Sequence, residues 1–386
     1  MLSAECRVPS AGCRAWQAKC LYSERRGCQA VFARDTMNML LLTLVAPALS
    51  VALAAMALAE PPGTTAAGPS DRAGLSFKPS AGTGPLRIAI IGLTHGHVEG
   101  LLYQAGKRDD LQIVGVFEPD RALFDKLAAK YNLKADLYFA NLGTMLDTTK
   151  PEAASVMGSI REHRAAVDAC APRGVHTLLE KPLAFSNDDA RHMATVAAKY
   201  QVLVLTNFET SWYASVRQAK AMVEDGSMSP VRRMVFRHGH KGPKEIGCQP
   251  EFLKWLTDPV ENGGGAIVDF GCYGAVLSTW MMNGQRPTSV AASASTLKPT
   301  VYPKVDDDAT IVLSYPTATA VIQASWAWTH DNKEMDVFTE KGSIHTGKWD
   351  EMAIRSPEPP GHTLEPAAKS ADLENEWTDR REVVRG

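Results

Sequence analysis

Between residues 87 and 208 six short apolar runs recur, RIAIIG (87–92), LQIVGVFE (111–118), LYFA (137–140), AASVMG (153–158), VHTLLEK (175–181) and VLVLTNF (202–208), and helical patterns fill most of the gaps. Strands alternating with helices pair in parallel through right-handed crossovers, so this segment predicts an α/β fold built on a Rossmann-type, doubly wound parallel sheet. Leu123, Leu127 and Tyr131 share one helix face, and Ser186 with Asp189 forms a capping-box-like start for a helix ending near Tyr200. Ligands of such sheets bind at the carboxyl ends of the strands.

The first run opens into GLTHGHVEGLL. A helix starting near His97 points free N–H groups and the positive end of its dipole at the end of the first strand, which suits a pyrophosphate. The usual glycine pattern would place Gly at 92, 94 and 97; here Gly92 is kept, Thr94 and His97 fill the other two places, and Gly96 comes one residue early. Glu118, closing the second run, is placed to accept hydrogen bonds from the adenosine ribose and to repel a 2′-phosphate. NAD is therefore expected over NADP, a preference that neighbouring Arg121 keeps moderate. His95 and His97 read either as a polar turn or as part of the cofactor loop. No metal is expected, since residues i and i+2 at a helix start do not converge and no carboxylate lies close by in sequence. A second His-Gly-His at 238–240 is assigned no role.

Beyond Phe208 the pattern changes. A helix with Trp212, Val216 and Val223 on one face ends at Gly226, and strand-like runs follow: VRRMVFRHG, SVAASAST, ATIVLSY, TAVIQASWAW and EMDVFTE. Short turns such as 316–319 join consecutive strands, so a mostly antiparallel, open-faced sheet is expected in an α+β second domain. Within GGGAIVDFGCYGAVLSTWMMNG (263–284), Asp269 and Tyr273 fall four residues apart on one face of a helix. Two polar groups on an otherwise apolar helix are costly to bury unpaired, which points to a cleft. Asp306, Asp307 and Asp308 read as a solvated strand start rather than a metal site.

The 41 basic and 43 acidic side chains are mixed along the 386 residues, net −2, so no basic field for nucleic acid exists and a small-molecule partner is expected. Residues 39–59 carry no charge and end in Ala-Leu-Ala, preceded by six Lys/Arg against three acids; they read as a signal peptide or a retained membrane anchor. Export follows as an expectation, with the body periplasmic or tethered to face the periplasm. Residues 1–38 are an N-terminal extension and 60–85 a Pro/Gly/Ser/Thr-rich linker. Four of the seven cysteines lie before residue 39, leaving Cys170, Cys248 and Cys272, too sparse a set for a disulfide framework.

HTLLEKPLAFSNDDA, with Glu180-Lys181-Pro182 closing the fifth run, resembles the Gfo/Idh/MocA family of glucose–fructose oxidoreductase and inositol dehydrogenase. The resemblance extends over about residues 86–348 and includes His163 upstream, Asn207 after the sixth run, and the Gly-Gly-Gly…Asp-x-Gly-x-x-His/Tyr pattern in which Tyr273 takes the last place. It implies a nucleotide-binding domain over 86–208 and a substrate domain over 209–355 whose sheet serves as a homo-oligomer interface. It also implies a cis Lys181–Pro182 peptide, with Lys181 beside the nicotinamide. Hydride transfer at a sugar, cyclitol or polyol carbon requires a group that takes the hydroxyl proton. Lys181 and Tyr273 are expected on the reacting oxygen, with Asp269 positioning them and the lysine pKa lowered by its surroundings. Cofactor contacts are expected from Gly92, Thr94, His95, Gly96, His97, Glu118, His163, Glu180, Lys181, Pro182 and Asn207. Glu209 stands where the family often has Arg, which changes the substrate contacts. Exported relatives include redox-assisted glycosidases, an alternative activity, and a non-catalytic ligand-binding protein on the same fold is a further one. Members continue past a stretch similar to VVRG, so residues 356–386 read as a poorly ordered, truncated tail.

Overall fold

The structure is a computed structural model and describes residues 84–347, 349–357 and 377–383. The N-terminal extension, the uncharged run and all but the last two linker residues lie outside the described residues. No helix among those described is long and apolar enough to cross a membrane.

Each of the six apolar runs forms a strand: β1 (Leu86–Ile91), β2 (Leu111–Phe117), β3 (Tyr138–Phe139), β4 (Ala153–Val156), β5 (His176–Glu180) and β6 (Val204–Asn207). They make one parallel sheet in the order β3-β2-β1-β4-β5-β6. Helices α1 (Val98–Ala105), α2 (Arg121–Tyr131), α3 (Leu142–Thr149), α4 (His163–Cys170) and α5 (Asn187–Tyr200) cover its faces. The order reverses between β1 and β4, and the crevice beyond their carboxyl ends is where this architecture takes its ligand. Side-chain caps start α2, α3 and α5 where the sequence turns from strand to helix: Asp120 accepts from the Ala122 and Leu123 N–H, Asn141 from Thr144 and Ser186 from Asp189. Ile90, Val116, Phe124 and Leu127 fill one side of the sheet, and Ile91, Val156, Leu179 and Met193 the other.

The second part holds α6 (Ala214–Glu224), β7 (Val231–Gly239), α7 (Pro250–Leu256), α8 (Pro259–Asn262), α9 (Ala266–Asp269) and α10 (Gly271–Met281). Seven further strands follow: β8 (Ser289–Ser295), β9 (Asp308–Ser314), β10 (Thr319–Ser325), β11 (Asn332–Thr339), β12 (Gly342–Thr346), β13 (Glu351–Pro357) and β14 (Trp377–Val383). The eight strands β7 to β14 are ordered β14-β13-β12-β11-β7-β10-β9-β8, antiparallel except for the central β7–β10 pair. Met234, Phe236, Ile322 and Val337 alternate onto one face and pack against Val216, Leu277 and Met281 of α6 and α10.

Four expectations change. Trp212 lies in a short turn rather than the helix and is 61% exposed, because extended Tyr213 restarts the helical phase at Ala214. The Gly-rich helix is two helices, α9 and α10, broken at Phe270. The aspartates before β9 are not solvated: Asp306 accepts from the N–H of Gly265 (2.8 Å) and Ile267 (2.7 Å), and buried Asp307 from Leu297 and Lys298. Finally, part of the expected tail is a strand, since β14 pairs antiparallel with β13 from Trp377 to Val383.

Candidate active site

Gly92 ends β1 with φ of +80°, and a Cβ there would stand 3.0 Å from the Gly158 nitrogen, so the loop can cross the end of β4 only with glycine. The loop is knitted to its surroundings by the His95 N–H on Met157 O (2.9 Å) and the Leu93 N–H on Glu118 Oε2 (2.8 Å). The N–H groups of Thr94 and Gly96 have no partner among the described residues. Two free amides at the start of α1 fit an anionic oxygen, which is the fit a dinucleotide pyrophosphate requires. Glu118 sits at the end of β2 as expected but is turned inward: its other oxygen accepts from the Asp120 N–H, and burial pushes its carboxyl up. A carboxylate offers about four acceptor positions, so two remain for a ribose.

His95 and His97 do converge with a carboxylate, against the sequence expectation. Their ring nitrogens meet Glu180 at the end of β5, His97 Nδ1 at 3.1 Å and His95 Nε2 at 3.8 Å. The carboxylate comes from far along the chain, brought in by the parallel crossover. His95 Nδ1 accepts from the His97 N–H (3.1 Å), which leaves the ring proton on Nε2, the atom facing Glu180. Of the two rings only His97 is within hydrogen-bond distance of Glu180; the His95 contact at 3.8 Å is electrostatic, and Glu180 Oε2 has no hydrogen-bond partner among the described residues. His95 is enclosed by Phe252 and Trp255 of α7, and burial pushes it down to about 3. For His97 burial also lowers the pKa, but the Glu180 carboxylate outweighs it and holds the ring charged more readily than usual. Glu180 is buried, which alone would raise its pKa, but the two histidines and the hydrogen bonds from His97 and Asn207 Nδ2 (3.1 Å) together outweigh burial and hold it below the usual carboxylate range.

Past Glu180 the Lys181–Pro182 peptide is cis. His163, fully buried, bonds the Leu183 carbonyl through Nδ1 (3.0 Å) and braces this segment from beneath. Lys181 reaches across to Asp269, contacting its carboxylate directly and its carbonyl at 3.1 Å. Asp269 takes a second bond from Trp326 Nε1 (2.8 Å). The Lys181 ammonium stands 5.3 Å from the Tyr273 ring and 5.8 Å from that of Phe270. Tyr273 is 2% exposed, packed edge-on by Phe208 and His238, and its hydroxyl has no partner among the described residues.

The lysine's charge departs from the expectation. Burial alone would lower it, but Asp269 in direct contact more than offsets burial, and the net shift is upward. Asp269 is correspondingly lowered, and burial pushes Tyr273 well up. The trio is therefore an ammonium, a carboxylate and a neutral phenol.

Sequence reasoning gave no site role to Trp326, Asp306, Lys333 or His238, and named Glu209 without its partner. Trp326 fixes Asp269; its only signal was an aromatic at a strand end. Asp306 holds the backbone that carries Asp269, and a Cβ on Gly265 would overlap the Asp306 carbonyl. Glu209 and Lys333 form a second ion pair, with Tyr213 OH on the other Glu209 oxygen at 2.7 Å. His238 is fully buried, both ring nitrogens without a hydrogen-bond partner among the described residues, and is pushed down to about 3 by burial and by Lys333.

A parallel sheet with an amide cradle at its switch point, and a second part whose helix α9 supplies a buried aspartate to the strand-end lysine, define a two-domain dinucleotide-binding architecture. Residues 86–208 match the oxidoreductase family with an NAD-binding Rossmann fold, and residues 216–345 match the GFO/IDH/MocA C-terminal domain. The chain belongs to the GFO/IDH/MocA oxidoreductase family. It is 29% identical over 153 residues to trans-1,2-dihydrobenzene-1,2-diol dehydrogenase of Xenopus tropicalis, covering 40% of this chain and 42% of that protein. It is 26% identical over 199 residues to D-glucoside 3-dehydrogenase of Escherichia coli K12, covering 51% and 54%. The chain spans about half the length of the curated relatives it matches. An inositol dehydrogenase homolog from Azotobacter vinelandii, solved with NAD+, shares the fold with a TM-score of 0.64 at 21% identity, over 73% of this chain and 76% of that one. Aldose–aldose oxidoreductase from Caulobacter crescentus, solved with glycerol, superposes at 0.60 and 21%, over 73% and 85%.

Proposed function

We propose that the protein is an NAD-dependent dehydrogenase acting on a secondary hydroxyl of a sugar, cyclitol or related polyol, with Lys181 and Tyr273 on the reacting oxygen. The observation that carries this is the buried Lys181–Asp269 pair beside a tyrosine hydroxyl that has no partner among the described residues, at the switch-point end of a dinucleotide fold. NAD, when bound, supplies the hydride acceptor. The amides of Thr94 and Gly96, the turn at Gly92 and the charged ring of His97 would hold its phosphates. Glu118 favours an unphosphorylated ribose, and Glu180 with Asn207 lines the approach to the nicotinamide.

The charges assign the roles. In the direction of carbonyl reduction, the Lys181 ammonium and the Tyr273 phenol both present a proton to the substrate oxygen. In the direction of oxidation, Lys181 in its neutral form takes the hydroxyl proton and becomes the ammonium that the Asp269 carboxylate, held in place by Trp326, stabilises. His163 keeps the lysine's backbone fixed and exchanges no proton with substrate. The reading includes export, supported by the uncharged run at 39–59, and association through the open face of the eight-stranded sheet. Purified protein incubated with NAD and a panel of sugars, cyclitols and aryl glycosides tests the activity: NADH should form with polyols. Aryl-glycoside cleavage without net NADH would favour a glycosidase instead.

A further inference from the structure

Resting on the dehydrogenase reading, we propose that the Glu209–Lys333 pair selects the substrate: it binds two neighbouring hydroxyls of an uncharged polyol and rejects carriers of a carboxylate or phosphate at that position. Glu209 follows β6 in the turn Glu209–Trp212, and Lys333 lies on β11 opposite His238 of β7, so the pair bridges the two sheets beside the reactive trio. The two ammonium groups, Lys181 and Lys333, stand 5.3 and 5.5 Å from the same Tyr273 ring. Tyr273 is thus flanked by two ion pairs, and they differ in access. The Lys181–Asp269 side chains are each 8% exposed, whereas Lys333 is 19% and Glu209 25% exposed. The enclosed pair suits proton handling; the more open one can meet a ligand.

The chemistry of the open pair is specific. A carboxylate only accepts and an ammonium only donates, so the pair matches hydroxyls, which do both. Glu209 is fixed by Tyr213 OH and by Lys333, which holds its acceptor positions in one place. The pair carries no net charge to attract an anion, and Glu209 repels one at short range, where partial burial strengthens the effect. Beneath it lies neutral His238, which adds no positive charge. Rejection by a fixed like charge is as much a part of selectivity as the bonds made to the right ligand.

The test compares wild type, Glu209→Gln and Lys333→Met on neutral aldoses and cyclitols and on matching uronates. kcat/KM is read from NADH formation, and equilibrium binding of the same sugars to NAD-loaded protein from calorimetry. Wild type should favour the neutral partner by roughly a hundredfold. Glu209→Gln should narrow that ratio by about tenfold or more, mainly through KM, with NAD affinity unchanged. Lys333→Met, which leaves the carboxylate without its cation, should widen it. A merely structural role would move both variants in the same direction. A wild-type ratio near one, or variant ratios within about twofold of wild type, would overturn the proposal while hydride transfer stood. Selective binding of neutral sugars without any NADH would instead count against the dehydrogenase reading and leave the selectivity in place.

Discussion

Asp269→Asn is the substitution that interrogates the site most directly. Asn keeps the shape and can still accept from Trp326 Nε1, but it leaves the Lys181 ammonium buried without its counter-charge. Removing one partner of a buried pair costs about 3–5 kcal/mol, and the retained tryptophan bond places this case near 3. At roughly 1–2 °C per kcal/mol for a chain of this size, the melting temperature should fall by about 3–6 °C. The lysine should change as well. With Asp269 neutral, burial dominates, its pKa drops, and the pH dependence of kcat moves to lower pH. Turnover should fall about 10²–10⁴-fold while NAD binding holds. Thermal unfolding and pH–rate profiles of Asp269→Asn, Lys181→Met and the double variant complete a cycle. The double variant should be less destabilised than the sum of the singles by about 2 kcal/mol or more, since it strands no charge. Strict additivity, or a melting temperature within about a degree of wild type, would refute the assignment of a coupled buried pair.

Tyr273→Phe deletes only a hydroxyl with no partner among the described residues, so kcat should fall at least about tenfold with the melting temperature unchanged by calorimetry. Because the folded pKa of His97 is raised above 6.5, its bond to Glu180 contributes stability that is complete below pH 6.5 and lost as pH rises through the folded value. His97→Gln should flatten that stretch of a stability–pH curve measured by urea titration. Glu118→Ala removes one charge-assisted bond to the β1 loop, from Leu93, one to its own turn, from Asp120, and the charge facing the ribose, so NAD affinity should fall about tenfold and NADP should gain relative to it, read by fluorescence titration. Asp306→Ala frees the amides of Gly265 and Ile267 at a cost of about 1–3 kcal/mol, and should lower kcat through a displaced Asp269, visible as altered tryptophan fluorescence from Trp326.

How far the sequence could be read follows the range of the interactions involved. The six parallel strands and the helix at Ser186 were legible because periodicity and capping are local, and the motifs picked out Lys181, Asp269 and Tyr273, whose side chains the structure brings together. The direction of the lysine's pKa was not, because it depends on a contact between residues 88 apart. The same holds for the meeting of His97 with Glu180, for Trp326 on Asp269 and for Glu209 with Lys333. Each of these joins elements that only the sheet topology brings together. The break at Phe270 escaped notice because the apolar pattern of α10 continues through it.

The parallel pair at the centre of the eight-stranded sheet dictates when that sheet can form. β7 is flanked by β10 and β11, and its last residue, Gly239, waits for Ser325 on one side and Asn332 on the other. At about 5–20 residues per second, a ribosome needs several seconds to deliver those partners. Until then a nine-residue strand carrying Met234, Phe236 and His238 has both edges unpaired, with only local helices to shelter it. The nucleotide-binding sheet, complete by Asn207, faces no such delay. Nascent chains should therefore pass through a stage in which one half is folded and the other presents a bare β-edge, and chaperone capture during synthesis belongs to that interval.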